Sequence, residues 1–222
     1  MVNFQPYPMG ILPCAVFKNC RLKVNGKGSI MAEPDKATVV LGVTTENIQL
    51  ETAQKENAEK VSAVINTLIK LGVPNEAIQT QAYQILPQYD YVEGKQVFRD
   101  YRVIHNLKVD INNITMVGRI TDAAVEAGAN SVSGIDFTVS DPAKYYEEAL
   151  NAAVSDAFAK AASIGMKLNV NMSPIPVQII EEAPPSAAPY ALMQATGPTT
   201  PIQPGRIEIT ALIEAIFFYT CN

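Results

Sequence analysis

The chain has 222 residues, of which 48% are apolar and 18% charged, enough to bury a core and too apolar to stay disordered. Its net charge of −5, from 17 basic and 22 acidic side chains, supplies no positive field for counterion release, so nucleic acid is not an expected partner. One His and three Cys leave almost nothing from which to build a four-ligand zinc site or a His-based catalytic centre, and no cofactor or metal is expected.

Residues 1–20 lack the basic start, unbroken apolar centre and small-residue cleavage site of a secretory signal, and Pro6, Pro8 and Pro13 interrupt them. They read as an irregular arm. The expected location is cytoplasmic, with an exported or envelope-associated one as the alternative. No run of about 18 uncharged apolar residues occurs, so no membrane-spanning segment is expected. Cys14, Cys20 and Cys221 are an odd set without the spacing of a disulfide scaffold; they read as free thiols in a reducing compartment, against a redox or metal role for Cys14 and Cys20.

Residues 22–32 and 37–45 alternate as strands do, and Pro34-Asp35 between them predicts a β-hairpin. From Ile48 to Leu71 the apolar period lengthens to that of an amphipathic helix, with Asn47 as its cap and Gly72 and Pro74 at its end. Residues 78–91 and 97–111 are strand-like and joined by Glu93-Gly94-Lys95. A short helix over 115–127, stopped by Gly128, and a strand through Ile135, Phe137 and Val139 complete a β-α-β unit.

Asp141-Pro142 is a strong helix start. The helix it opens is predicted to end at Gly165 and carries Ala149, Ala153, Ala157 and Ala161 in one stripe, which should lie flat on a sheet. Eight of the fifteen prolines then fall between Pro174 and Pro204. The Pro-rich loop 183–205 reads either as a disordered excursion or as an arm that docks on a neighbouring protomer. The final strand, Ile207–Tyr219, is apolar on both faces near its end, as a central strand or one covered by another subunit would be. The expected fold class is α+β: antiparallel sheet packed against helices in two closely associated sub-structures, 21–101 and 102–222, sharing a sheet or an extensive interface.

Several local signatures recur in order along the chain: Val24-Asn25-Gly26-Lys27-Gly28, Pro34-Asp35, Leu41-Gly42-Val43, Pro87-Gln88-Tyr89-Asp90-Tyr91, Ala127-Gly128-Ala129-Asn130, Gly134-Ile135-Asp136-Phe137, Asp156-Ala157 and Lys160-Ala161. In this order they resemble the SIMPL-domain family, from about Arg21 to Tyr219. The resemblance implies an α+β fold, ring-like or cage-like homo-oligomers and no established enzymatic activity. It brings no catalytic residues to carry over. Family members often sit in the periplasm or envelope.

Gly26-x-Gly28 lies between strand-like residues, so it reads as a bulge or close backbone approach and not as a phosphate loop. His105 sits on an apolar face and reads as a structural imidazole; Asp141 reads as a cap and Asp136 as solvent-facing. The enzymatic alternative is a small hydrolase or isomerase built on Asp136, Asp141 or His105. Tyr83, Tyr89, Tyr91, Phe98 and Tyr101, with Arg99 beside them, mark the long hairpin and admit cross-strand packing, an oligomer interface or a ligand-stacking platform. Further interface candidates are Tyr190, Leu192 and Met193 in the Pro-rich loop and Ile216 and Phe218 in the last strand. The leading expectation is a non-enzymatic, self-assembling protein; the rival is an adaptor that recruits a protein partner through the Pro-rich loop.

Overall fold

The computed structural model describes residues 20–182 and 202–221, with eight strands and three helices among them. In chain order these are β1 (Cys20–Ala32), β2 (Lys36–Asn47), α1 (Leu50–Lys70), β3 (Ile78–Val92), β4 (Lys95–Ile111), α2 (Val117–Glu126), β5 (Ser131–Thr138), α3 (Pro142–Leu168), β6 (Val170–Met172), β7 (Gln178–Glu182) and β8 (Ile207–Cys221). The fold class is α+β. The arm before Cys20, Cys14, Tyr190, Leu192 and Met193 lie outside the described residues.

The chain forms two units, and they do not follow the expected division at 101/102, which falls inside β4. One unit holds residues 20–31, the α3 region and β8; the other is centred on 32–140. Each has its own four-stranded sheet, so no sheet is shared. The predicted hairpin of the first two strands does not form. β1 pairs with β8, while β2 is an inner strand of the other sheet. Pro34-Asp35 marks a crossing between sheets: the Asp35 carboxylate accepts from the Ser140 backbone N–H at 2.6 Å and from its hydroxyl, which holds Asp35 below the usual carboxylate pKa.

The 32–140 unit has strand order β3-β4-β2-β5, with every adjacent pair antiparallel. β2-α1-β3 and β4-α2-β5 are therefore two split βαβ crossovers, the ferredoxin-like arrangement. The β-α-β reading for β4, α2 and β5 holds, with β2 inserted between its strands. Val39, Leu41 and Val43 of β2 and Leu107 and Val109 of β4 bury one face of this sheet together with Val61, Val64 and Leu68 of α1 and Val117, Ile120 and Ala124 of α2. Each such side chain contributes about 1.5–3 kcal/mol on burial. Asn57 is buried in the same stripe of α1, and its Nδ2 donates to the carbonyls of Val43 at 2.9 Å and Val103 at 3.3 Å, fastening the helix across two strands. Asn47 is not the cap of α1: its Oδ1 accepts from Gln49 N in a turn just before the helix, whose N-cap is Gln49. Asn130 extends β5 with its side chain, Oδ1 accepting from Thr44 N at 2.8 Å and Nδ2 donating to Thr44 O at 2.7 Å.

In the other unit, α3 lies on β1 and β8. Ala149, Ala153, Ala157 and Ala161 are buried together with Val24, Ala211, Ile213, Ala215 and Phe217. The two glycines of β1 explain the alanine stripe. A Cβ on Gly26 would stand 2.1 Å from the Ala153 carbonyl oxygen, and one on Gly28 would stand 2.0 Å from that of Ala149. The Gly26-x-Gly28 pair is thus a close backbone approach. Asp156 and Lys160 fix it at the strand edge. The Asp156 carboxylate accepts from Lys160 Nζ at 2.6 Å and from the Lys27 N–H at 2.9 Å, and Lys160 also donates to the Asn25 carbonyl at 3.0 Å. Asp141 caps α3 through Lys144 N, as expected, but Gly165 does not end the helix. It is buried inside the last turns, where a Cβ would meet Met172 Cγ at 2.4 Å, and Asn169, at φ 54°, closes the helix instead.

Gly28→Ala drives a methyl group into backbone and should cost about 3 kcal/mol or more; denaturant unfolding of the variant checks it, and an unchanged midpoint would refute the close approach. Asn57→Ala strips two buried carbonyls of their donor and should cost roughly 2 kcal/mol in the same assay.

Candidate functional site

The long β3–β4 hairpin concentrates the aromatic residues singled out in the sequence. Its two-residue turn is Glu93-Gly94, both at positive φ (49° and 77°), which is why glycine is needed there. Near the tip the pairing shifts between Gln88 and Tyr89, leaving Arg99 as the extra residue. Arg99 there bridges Asp90 at 3.3 Å and Asp100 at 3.0 Å. Tyr89 meets Phe98 edge to face with centroids 5.9 Å apart, and Phe98 meets Tyr101 at 5.0 Å. Cross-strand packing is thus real, yet it does not bury the rings: Tyr91 is 76% exposed, Tyr89 46% and Phe98 40%. Val92 and Val97, not singled out in the sequence, are exposed on the opposite face of the hairpin.

Tyr83 stands farther from the tip. Its ring packs edge to face on His105 with centroids 5.3 Å apart, and its hydroxyl accepts from Gln54 Nε2 at 3.3 Å. His105 Nε2 lies 3.0 Å from Thr80 Oγ1. This is a half-buried structural imidazole, and burial pushes its pKa below the ordinary 6.5.

The carboxylates proposed to act with it are not beside it. His105 lies opposite Val43, on the face covered by α1, whereas Asp136 lies opposite Thr38, on the other face of the same sheet and five positions along β2. Their side chains share no cleft. Asp141 is occupied in capping α3. Among the described residues no group of three or more His, Cys, Asp or Glu side chains is placed to hold a metal ion.

Ile216 and Phe218 lie in β8, which is paired on both sides, with β1 and with β6 and β7, so its two-sided apolarity follows from its central place. Both are half-buried, and the Arg21 guanidinium sits 5.4 Å from the centroid of the Phe218 ring. Met166, Leu168, Ile175 and Val177, after the buried Gly165, are exposed apolar side chains; the sequence marks only Ile175–Ile180 there, as a short apolar segment. That segment is too short to show either period. Among the described residues no helix is long and apolar enough to cross a membrane.

A family model for SIMPL, described as a protein of unknown function (DUF541), matches residues 22–217. The 26 kDa periplasmic immunogenic protein of Brucella melitensis is 28% identical over 210 residues, covering 89% of this chain and 84% of that protein. The uncharacterized protein YggE of Escherichia coli K12 is 26% identical over 151 residues, 68% of this chain and 61% of its own length. YggE of Edwardsiella ictaluri is 23% identical over 152 residues, 68% of this chain and 64% of its own. The chain therefore spans somewhat under two thirds of the YggE relatives, and none of these names describes an enzyme.

His105 gives a pH test. The folded protein resists the proton that the unfolded imidazole takes up near 6.5, so stability present above that value is lost as pH falls through it. As the chain has one His, the slope between about pH 5.5 and 7 should flatten in His105→Gln, measured by denaturant unfolding across that range. A slope unchanged by the substitution would place its origin elsewhere.

Proposed function

The chain belongs to the SIMPL family, a family of unknown function, and from that premise we propose that its activity is self-assembly into a homo-oligomer without enzymatic chemistry. The observation that carries this reading is the hairpin tip. Tyr89, Tyr91 and Phe98 remain 40–76% exposed on one face of the ribbon although their neighbours pack. Rigid rings with a polar rim are the residue types favoured at the centres of protein contacts, and Arg99 adds the other favoured type. Tyr83 and Tyr101 border the same surface. The separation of His105 and Asp136 onto opposite sheet faces supports the non-enzymatic side of the reading. The periplasmic name of the Brucella relative supports an exported or envelope location over the cytoplasmic one.

Light scattering after size exclusion at low micromolar concentration tests the proposal. The mass should be a multiple of 24.0 kDa, and the double variant Tyr89→Ser, Phe98→Ser should reduce it with its circular dichroism unchanged. A mass of one chain for the unaltered protein would sink the reading.

A further inference from the structure

Every sheet has edges, and an unprotected edge is a template for another strand. In the unit containing α3, the β1 edge is occupied by Asp156 and Lys160, which take the Lys27 N–H and the Asn25 carbonyl. On the far side of β8, β6 has three residues, and β7 has five and ends in Glu181-Glu182. In the ferredoxin-like unit, β5 has eight residues and is broken by Gly134 at φ 68°, where its register with β2 shifts. Each of these edges is short, charged, bulged or covered.

β3 is different. It has 15 residues, Asp90 is its sole charged side chain, and among the described residues no strand pairs with its outer edge. Its interruptions are the register shift at Gln81 and Pro87, which leave Ala82–Leu86 clear between them.

We infer that this stretch pairs antiparallel with the same stretch of a second copy of the chain, across a two-fold axis at Gln84, joining two four-stranded sheets into one of eight. The inference rests on the self-assembly reading and specifies one contact within it. A second copy fits because the segment is self-complementary. On the face covered by α1, Tyr83 meets Ile85 of the second copy; on the other face, Ala82 meets Leu86, and Gln84 meets its own image. Tyr83 and Leu86 are exposed in the single chain, so pairing covers apolar surface as well as backbone. Charge favours the arrangement as well. Asp90 lies six positions from the axis, so the two Asp90 carboxylates stand roughly 40 Å apart, far beyond the screening length.

The test is a charge swap at the axis. Gln84→Lys and Gln84→Glu each set like charges side by side, and each alone should weaken self-association roughly fivefold. An equimolar mixture of the two should restore it. Light scattering reads the masses, and circular dichroism checks that each variant folds. If the unaltered protein assembles and neither variant changes its mass, or if the mixture fails to recover what the single variants lose, the edge pairing is wrong while self-assembly stands. If the unaltered protein is monomeric, both fail.

Discussion

The approach of β1 to α3 is the constraint from which the unit containing them follows. Two glycines bring a strand backbone to within a carbonyl's reach of a helix, and four alanines spaced one turn apart make the helix narrow enough to receive it. At Gly26 and Gly28 the strand contributes no side chain to this contact, and the usual apolar filling is replaced by shape. Asp156 and Lys160 then serve backbone groups that a neighbouring strand would otherwise take, so the same helix packs the sheet and closes its edge. Gly165 repeats the device one stage further on, admitting Met172 where β6 turns back.

The ferredoxin-like unit is organised differently. There β2 is the inner strand shared by both crossovers, and the polar groups that fasten it are few and specific. Asn57 ties α1 to the carbonyls of β2 and β4, Thr45 donates to the Ala53 carbonyl, and Asn130 lengthens β5 against Thr44. Several family signatures thereby acquire physical reasons: Ala127-Gly128-Ala129-Asn130 ends a helix and begins a strand pairing, while Pro34-Asp35 receives Ser140. These reasons are structural.

Much of this was legible in the sequence, and most of the failures share one cause. Period and punctuation located α1 to within two residues of its observed bounds, and Asp141-Pro142 opened α3 as expected. Tyr89, Phe98 and Arg99 were visible as a hairpin cluster, though whether the rings would be covered depended on how far the hairpin outruns its helix, which local pattern does not report. Pairing was misread where neighbours in sequence were assumed to be neighbours in space: Pro34-Asp35 carries the same turn signal for a hairpin as for a passage between sheets. Gly165 was misjudged similarly, since a stop is a local signature while the side chain that decided its role, Met172, came from a returning strand; Asn47 failed locally, its side chain closing a turn onto Gln49 N one step before the helix.

The segmented make-up of the α3 unit bears on how the protein is made. Its β1 is translated before β2, but its pairing partner β8 emerges after every other element described here. The intervening 32–140 stretch contains all four strands of its own sheet. Synthesis therefore favours an order in which the ferredoxin-like unit is complete while β1 still waits with its partner edge open. For that interval the chain carries an orphan strand whose two glycines and three cationic side chains, Arg21, Lys23 and Lys27, weaken it as a template for other strands, so the glycines that later allow close packing also disfavour premature pairing.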